Sequence, residues 1–178
     1  SETEDVALQN IGGIGNVTLL PAGCSLEDVT AFDTGPGNMV MDALASRITG
    51  GKLGYDDGGK LAANGKVIPE LLNWMLEDPY LTKQPPKTTG REYYGAAYVE
   101  KLVSFGDYPL QDILATATRF TAESIALSLH RFARRMPARL VVGGGGSRNP
   151  TLLRFLAEAL PECRVQTQED LGYDSDSK

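Results

Sequence analysis

The alternation of apolar and polar residues predicts three strands at the beginning of the chain. Short apolar segments lie at 6–10, 16–20 and 29–33, and turns that contain glycine or proline separate them. Short runs of this kind, bounded by such turns, are typical of β-strands. Because few residues connect them, we expect the three strands to form an antiparallel meander.

Apolar residues that recur every three or four positions, as is typical of helices, follow the third strand. This spacing predicts helices over 39–48, 68–76 and 109–136, of which the last has the most regular pattern. The stretch 51–65 is rich in Gly, Asp and Lys and lacks periodicity, so it is predicted as a surface loop. The stretch 83–91 contains two adjacent prolines and is expected to be extended.

The last part of the chain predicts a strand at 139–142, a glycine turn at 143–146, a helix over 149–160 and a strand at 164–167. A strand, helix, strand order implies a right-handed parallel crossover. The whole pattern therefore predicts an α/β fold whose mixed sheet is antiparallel in its first three strands, parallel in its later ones and flanked by helices. The 178 residues, 42% of them hydrophobic, are enough for a single domain over 1–178.

Charge and composition exclude several classes of function. The chain has 17 basic and 23 acidic residues, for a net charge of −6, and no dense patch of Lys or Arg, so neither nucleic acid nor a membrane is an expected partner. Its apolar runs are too short to span a membrane, and its acidic first residues differ from a signal peptide, so a cytoplasmic location is expected. Cys24 and Cys163 lack a metal-binding or disulfide pattern.

Three glycine-rich turns follow predicted strands. They are GGIGN at 12–16, DTGPGN at 33–38 and GGGGSRN at 143–149. Glycine lets backbone amides approach an anion closely, and the second and third turns precede predicted helices, whose dipoles favour phosphate. The three turns together therefore favour nucleotide binding, although any one of them alone is more typical of a simple tight turn.

The familiar phosphate fingerprints do not match. None of the turns has the spacing GxGxxG of a dinucleotide fold. The stretch 54–61 resembles a P-loop, but Leu61 stands where Ser or Thr must hold magnesium, and Asp56 and Asp57 would repel phosphate.

Asp33 is the candidate catalytic residue. It is predicted to end a strand and to face a glycine turn, where a carboxylate can reach a bound ligand. In phosphoryl transfer from ATP such a group can accept the proton of the attacking hydroxyl. The chemistry leaves a second interpretation open, in which Asp33 caps the helix near Asn38 or folds the turn through an Asx hydrogen bond.

Five stretches, in order and spread over the chain, resemble the anhydro-N-acetylmuramic acid kinase family. They are QNIGGIGN (9–16), FDTGPGN (32–38), PPKTTGRE (85–92), TAESI (121–125) and GGG with RNP (143–145 and 148–150). The resemblance implies a ribonuclease H-like lobe of the actin/hexokinase type. It also implies an ATP- and Mg²⁺-dependent kinase that opens the 1,6-anhydro ring of its amino-sugar substrate with water and phosphorylates O6, in bacterial cell-wall recycling.

The resemblance also assigns roles to residues. Asp33 looks like the base that activates water, and no residue is assigned to a metal. The residues implied near the phosphates are Gly12, Gly13, Gly35 and Gly37, with Asn10 and Asn38 from the same motifs. Those implied near the adenosine are Gly143, Gly144 and Gly145, with Asn149.

The chain departs from the family pattern at both ends. Family members begin with a further lobe that carries a phosphate-contacting motif and acidic residues near the metal, and nothing in 1–178 corresponds to it. Relatives also continue into a last helix beyond 174–178. We therefore expect the N-terminal lobe of a two-lobed enzyme to be missing, the isolated chain to be inactive and exposed apolar surface to favour self-association, for example as a homodimer.

Two other functions stay open. The chain could be a regulatory module of the same fold that binds nucleotide or sugar without catalysis, or a plain interaction domain. Asp33 favours the enzyme over the first, because a binding module needs no carboxylate at the phosphate turn. The glycine turns disfavour the second.

Other polar and aromatic residues are expected to be structural. His130, the single histidine, is predicted on a helix surface. Trp74 could stack on a sugar, but its spacing is typical of core. The charged residues at 87–92 could contact sugar or another lobe, although a proline-rich stretch of this kind is more typical of a solvated loop.

Overall fold

The computed structural model describes residues 3–172, in which five strands form one mixed sheet. The strands are β1 (Val6–Ile11), β2 (Ile14–Leu20), β3 (Thr30–Pro36), β4 (Arg139–Gly143) and β5 (Arg164–Thr167). Their order across the sheet is β3-β2-β1-β4-β5. β1 and β3 pair antiparallel with β2, whereas β4 pairs parallel with both β1 and β5. The predicted mixed sheet is confirmed.

The described part of the chain also contains seven helices and four short 3₁₀ turns. The helices are α1 (Met39–Ile48), α2 (Lys60–Ala63), α3 (Pro69–Leu76), α4 (Arg91–Tyr94), α5 (Ala96–Val103), α6 (Leu110–Phe132) and α7 (Pro150–Ala159). The 3₁₀ turns are Leu26–Asp28, Asp57–Gly59, Pro79–Thr82 and Gly145–Arg148. The predictions of α1, α3, α6 and α7 are confirmed, although α6 ends four residues earlier than expected.

Two predictions about local structure are wrong. The stretch 51–65 is not entirely a loop, because it contains the turn Asp57–Gly59 and α2. The carboxylate of Asp56 makes this possible, since its two oxygens accept the amides of Leu61 at 2.8 Å and Ala62 at 3.0 Å. The third strand does not end at position 33 but continues to Pro36.

The core lies on one face of the sheet. Ala7, Val17, Phe32 and Leu140 point from four neighbouring strands into a cluster that α6 and the other helices complete. This burial of alternate positions is the period-two pattern seen in the sequence. The opposite face is less covered within the described residues, where Leu8 is 41% exposed although Val6 and Val141 on that face are buried.

No helix in the described part of the chain is long and apolar enough to cross a membrane. Cys24 and Cys163 are free thiols, as expected.

Candidate functional site

The first two glycine turns are interlocked at one edge of the sheet. β1 ends and β2 begins at this edge, and β3 also ends there. The amide of Gly37 donates to the carbonyl of Gly13 at 2.8 Å, and the amide of Asn38 donates to that of Gly12 at 2.7 Å. The side-chain amide of Asn38 adds a bond to the carbonyl of Ile11 at 3.1 Å. The start of α1 is thereby fixed on the β1–β2 hairpin.

The third glycine turn packs against the same hairpin. Gly144 has a φ of +79°, and a β-carbon there would lie 2.6 Å from the side-chain oxygen of Asn10 and 2.8 Å from the carbonyl of Ile11. Only glycine fits this close approach. A β-carbon on Gly145 would lie 3.3 Å from the side-chain nitrogen of Asn38. The structure therefore brings the three predicted turns together.

The hydrogen bonds between the turns decide which amides remain for a ligand. The amides of Gly37 and Asn38 donate to the hairpin carbonyls, so these two amides are not free for a ligand. Gly35, with a φ of +147°, is buried within β3 and lies next to Ser124. Within residues 3–172 no protein acceptor takes the amides of Gly12 or Gly13, and Gly13 is exposed. The hairpin tip is therefore the part of this edge whose backbone amides have no protein acceptor.

Asp33 lies in a polar row across the sheet. Its register partner is Asn16 of β2, and Asn16 in turn is paired with Asn10 of β1. The register shifts between Gly15 and Asn16, an irregularity typical of strands near functional sites. Asp33 is half-buried and lies within β3, three residues before the strand ends at Pro36.

The carboxylate of Asp33 is oriented by a segment distant in sequence. It accepts the amide of Thr89 at 3.1 Å, which is its one side-chain hydrogen bond in the described residues. It therefore neither caps α1, whose N-cap Asn38 makes no side-chain cap bond, nor folds an Asx turn. One oxygen is left for another ligand.

Sequence reasoning missed the contribution of Tyr80. Its hydroxyl donates to the main-chain carbonyl of Asp33 at 2.8 Å. Burial, with the nearby charges of Asp33 and Asp78, raises the pKa of this phenol, so the donor stays protonated. No local pattern in the chain marks a contact over this separation.

A cavity of about 440 Å³ adjoins the glycine edge. Its walls include Asn38, Asp42, Tyr55, Gly145 and Asn149. Burial raises the pKa of the Asp42 carboxyl from 3.8 to about 6. The side-chain oxygen of Asn149 accepts the amide of Leu152 at 3.0 Å and so caps α7, which leaves only its nitrogen for a ligand.

Gly143 lies apart from this cavity. It lines a shallow depression of about 110 Å³ on the open sheet face, together with Asn10, Asn16 and Gln168. The third glycine turn thus separates two surfaces, with Gly143 on one and Gly145 on the other.

A larger cavity, of about 510 Å³, lies between α3, α4 and α5 and away from the glycine turns. Trp74 borders it and is 38% exposed, so the prediction of a core tryptophan is wrong. His130 is exposed on α6, as expected.

We place the candidate site at the glycine edge because the conformationally restricted glycines and the oriented carboxylate meet there. The volume of a cavity does not by itself indicate a catalytic or binding function.

Comparison with known proteins gives a consistent result. The family model "Anhydro-N-acetylmuramic acid kinase" matches residues 1–178. The chain is 50% identical to the anhydro-N-acetylmuramic acid kinase of Caldanaerobacter subterraneus subsp. tengcongensis, over 100% of the chain and 46% of that protein. It is 41% identical to that of Clostridioides difficile, over 99% of the chain and 46% of the relative. The chain thus spans about half the length of the curated relatives it matches.

Solved structures show the same fold at low sequence identity. The activator of the 2-hydroxyisocaproyl-CoA dehydratase from Clostridium difficile superposes with a TM-score of 0.52 at 16% identity, over 93% of this chain and 54% of that one. A carbohydrate kinase from Novosphingobium aromaticivorans gives 0.52 at 16%, over 93% and 36%. The described sheet therefore has the ribonuclease H-like fold of actin/hexokinase-type proteins, as predicted.

Proposed function

The chain belongs to the anhydro-N-acetylmuramic acid kinase family, and from that membership we propose that it supplies the base and part of the nucleotide site of an ATP-dependent sugar kinase. The proposed substrate is 1,6-anhydro-N-acetylmuramic acid, in peptidoglycan recycling in the cytoplasm. Because the relatives are about twice as long, we propose that this chain is one lobe and that a second lobe closes the cleft. The homodimer expected from the sequence stays a prediction.

Asp33 is the base in this proposal. A water molecule attacks the anomeric carbon, the bond from that carbon to O6 breaks, and O6 takes the γ-phosphoryl group of ATP while ADP leaves. The carboxylate of Asp33 accepts the proton that the water loses. The water oxygen stays on the anomeric carbon, so it never enters the phosphate.

The glycine turns are the proposed phosphate site. The amides of Gly12 and Gly13 provide donors at the hairpin tip, and Gly144 allows a ligand or strand backbone to come close. The adjoining cavity of about 440 Å³ is large enough for a nucleoside, and Gly145 and Asn149 line it.

The proposed Mg²⁺ fits a site built mostly from nucleotide phosphates. Among the described residues, no group of three or more His, Cys, Asp or Glu side chains could hold a metal. Mg²⁺ commonly needs only one or two carboxylates when phosphates and waters supply the remaining ligands, so a nucleotide bound at the glycine turns can hold the ion without such a group. Bound there, the ion would neutralise charge on the transferring phosphoryl group.

The single observation that carries the proposal is the half-buried carboxylate of Asp33, oriented by Thr89 at the edge where three glycine turns meet. Asp33→Asn in the full-length protein is expected to lower kcat by about 10²–10⁴-fold, because the base is lost. Nucleotide affinity should stay within about twofold, since asparagine can still accept the Thr89 amide. The matched control is Asp107→Asn, an exposed carboxylate that lines none of the three cavities described above.

Isotope labelling separates the chemistry from simple binding. In ¹⁸O-water, the label is expected at the anomeric hydroxyl and not in the phosphate. Equal losses of kcat and nucleotide affinity in Asp33→Asn would assign that residue to binding or folding instead. A wild-type protein that binds ATP and the sugar without turnover would support the regulatory module.

A further inference from the structure

Lys87 is buried behind the strand that carries Asp33. Only 5% of its surface is exposed, against the expectation of a solvated loop. Its ammonium lies 4.5 Å from the ring centre of Tyr80, 4.8 Å from that of Phe132 and 5.5 Å from that of Phe32. It donates to the carbonyls of Tyr80 at 2.9 Å and Leu81 at 3.4 Å. No carboxylate within 4 Å pairs with it in the described part of the chain.

The three rings belong to separate elements. Phe32 lies on β3, Tyr80 in the 3₁₀ turn Pro79–Thr82, and Phe132 at the end of α6. A cation over an aromatic face is attracted by the negative charge of that face, and the attraction is stronger when the cation is desolvated. The ammonium of Lys87 therefore holds the segment 79–89 against β3 and α6 through cation–π contacts. A neutral side chain of the same length would have only van der Waals packing there.

The same segment contacts Asp33 at three points. The amide of Asp33 donates to the carbonyl of Lys87 at 3.3 Å. The amide of Thr89, two residues further on, donates to the Asp33 carboxylate at 3.1 Å. The hydroxyl of Tyr80, whose ring covers the ammonium, donates to the Asp33 carbonyl at 2.8 Å. Any movement of Lys87 would thus move the groups that orient this carboxylate.

We propose that Lys87 is a positioning residue for Asp33, whose caged ammonium fixes the segment 79–89 on β3 and so sets the direction of the carboxylate. The inference rests on the proposed function, because it takes Asp33 to be the base. A purely structural role would need only an apolar side chain, since burying a charge without a carboxylate partner is costly. The electrostatic attraction to the three aromatic rings requires a cation.

The charges around Lys87 give the inference a pH signature. Burial lowers the pKa of Lys87 from 10.5 to about 8, and Arg131 of α6 and Lys83 of the preceding loop act in the same direction, whereas Asp78 opposes them. Lys87 is therefore charged at pH 7 and neutral well above pH 8. Because the cation–π contacts need the charge, kcat is expected to fall as the pH rises through 8.

The test compares Lys87→Met with Lys83→Met in the full-length enzyme, measuring kcat and KM for the sugar from pH 6 to 9.5. Lys83 is an exposed lysine of the same segment and serves as the matched control. Lys87→Met is expected to lower kcat about 10–100-fold at pH 7, the effect of a small misplacement of a catalytic group. KM should change less than about threefold, and the decline above pH 8 should disappear. Lys83→Met should keep the wild-type kcat at pH 7, with its decline moved to higher pH because Lys83 lowers the pKa of Lys87.

A second variant keeps the test decisive if Lys87→Met does not fold. Lys87→Arg retains a cation that does not titrate, so it is expected to recover most of kcat and to lack the decline above pH 8. A wild-type kcat in Lys87→Met would overturn the inference, and so would a decline near pH 8 that persists in Lys87→Arg. A wild-type enzyme that does not turn over the sugar would instead refute the proposed function.

Discussion

Gly37 packs directly on the main chain of Gly12, so that a β-carbon at position 37 would overlap the Gly12 carbonyl oxygen. The atom in the way is backbone, which cannot rotate aside. Gly37→Ala is therefore expected to push α1 away from the β1–β2 hairpin and to lower the free energy of unfolding by about 1–3 kcal/mol. Urea unfolding followed by circular dichroism would measure this loss.

The control for this substitution lies in the same hairpin. A β-carbon on Gly13 would meet no atom within 4 Å, and the φ of Gly13 is not in the left-handed region. Gly13→Ala should therefore leave stability within about 0.5 kcal/mol of the wild type. If Gly37→Ala were as stable as Gly13→Ala, the close contact between the two turns would not exist in solution.

The sequence was sufficient to predict the five strands and their mixed arrangement. Each strand carries its own period-two pattern, and strands that run in the same direction must end at the same edge. Glycines at 12 and 144 meet because β1 pairs parallel with β4, a contact between distant parts of the chain that the local pattern did not predict. The five motifs of the resemblance added the family, and family membership is confirmed.

The partners of Asp33 could not be predicted in this way. Thr89 lies 56 residues from Asp33 along the chain and Tyr80 lies 47 away, so these contacts depend on how the segment folds back. The burial of Lys87 was missed for a related reason. A lysine beside prolines is normally solvated, and the aromatic rings that enclose this one come from three separate elements.

Asp42 is expected to be a destabilising residue at the cavity beside the glycine edge. Burial raises its pKa from 3.8 to about 6, so at neutral pH the fold holds a charge that it disfavours. The contribution of the Asp42 carboxyl to the free energy of unfolding is therefore lost as the pH rises from about 4 to 6. Asp42→Asn should raise the free energy of unfolding at pH 7 by about 1–2 kcal/mol, after allowance for its partial exposure.

Unfolding at two pH values would check the Asp42 prediction. The gain should be present at pH 7 and small below pH 4, where the wild-type carboxyl is protonated in both states. Asp57→Asn, which is exposed at the same cavity, should show no gain at either pH. A gain that is independent of pH would mean that ionisation of Asp42 is not its cause.

Asp5 is expected to have the opposite effect on stability. It is 7% exposed, and its oxygens accept two bonds from Arg134 at 3.0 Å, one from Arg135 at 3.1 Å and one from the amide of Ala22 at 2.9 Å. These donors, Arg134 first, hold the pKa of Asp5 well below its usual range. Its contribution is therefore present at neutral pH and lost as the pH falls below 3.8.

Asp5→Asn should lower Tm by several degrees at pH 7, and the difference from the wild type should shrink at the most acidic pH. The loss is limited because the side chain of Arg134 is 53% exposed, so that solvent screens the pair. Glu27→Gln, a nearby exposed residue, is the control. Calorimetric scans from pH 7 to 2 that keep a constant gap between variant and wild type would speak against the ion pairs.

Asp56 lines the cavity of about 440 Å³ and fixes the start of α2 beside it through two hydrogen bonds. Its carboxylate accepts the amides of Leu61 and Ala62, and the adjacent Gly59 carbonyl accepts the hydroxyl of Thr151 on α7 at 2.7 Å. Asp56→Ala should therefore cost about 1–2 kcal/mol, the usual loss for a capping residue, and weaken nucleotide binding because the wall loosens. Asp57→Ala, its exposed neighbour, removes no capping bond and should leave stability unchanged. Hydrogen exchange would locate the effect, since the amides of Leu61 and Ala62 should lose protection in Asp56→Ala, and unchanged protection there would show that α2 forms without this cap.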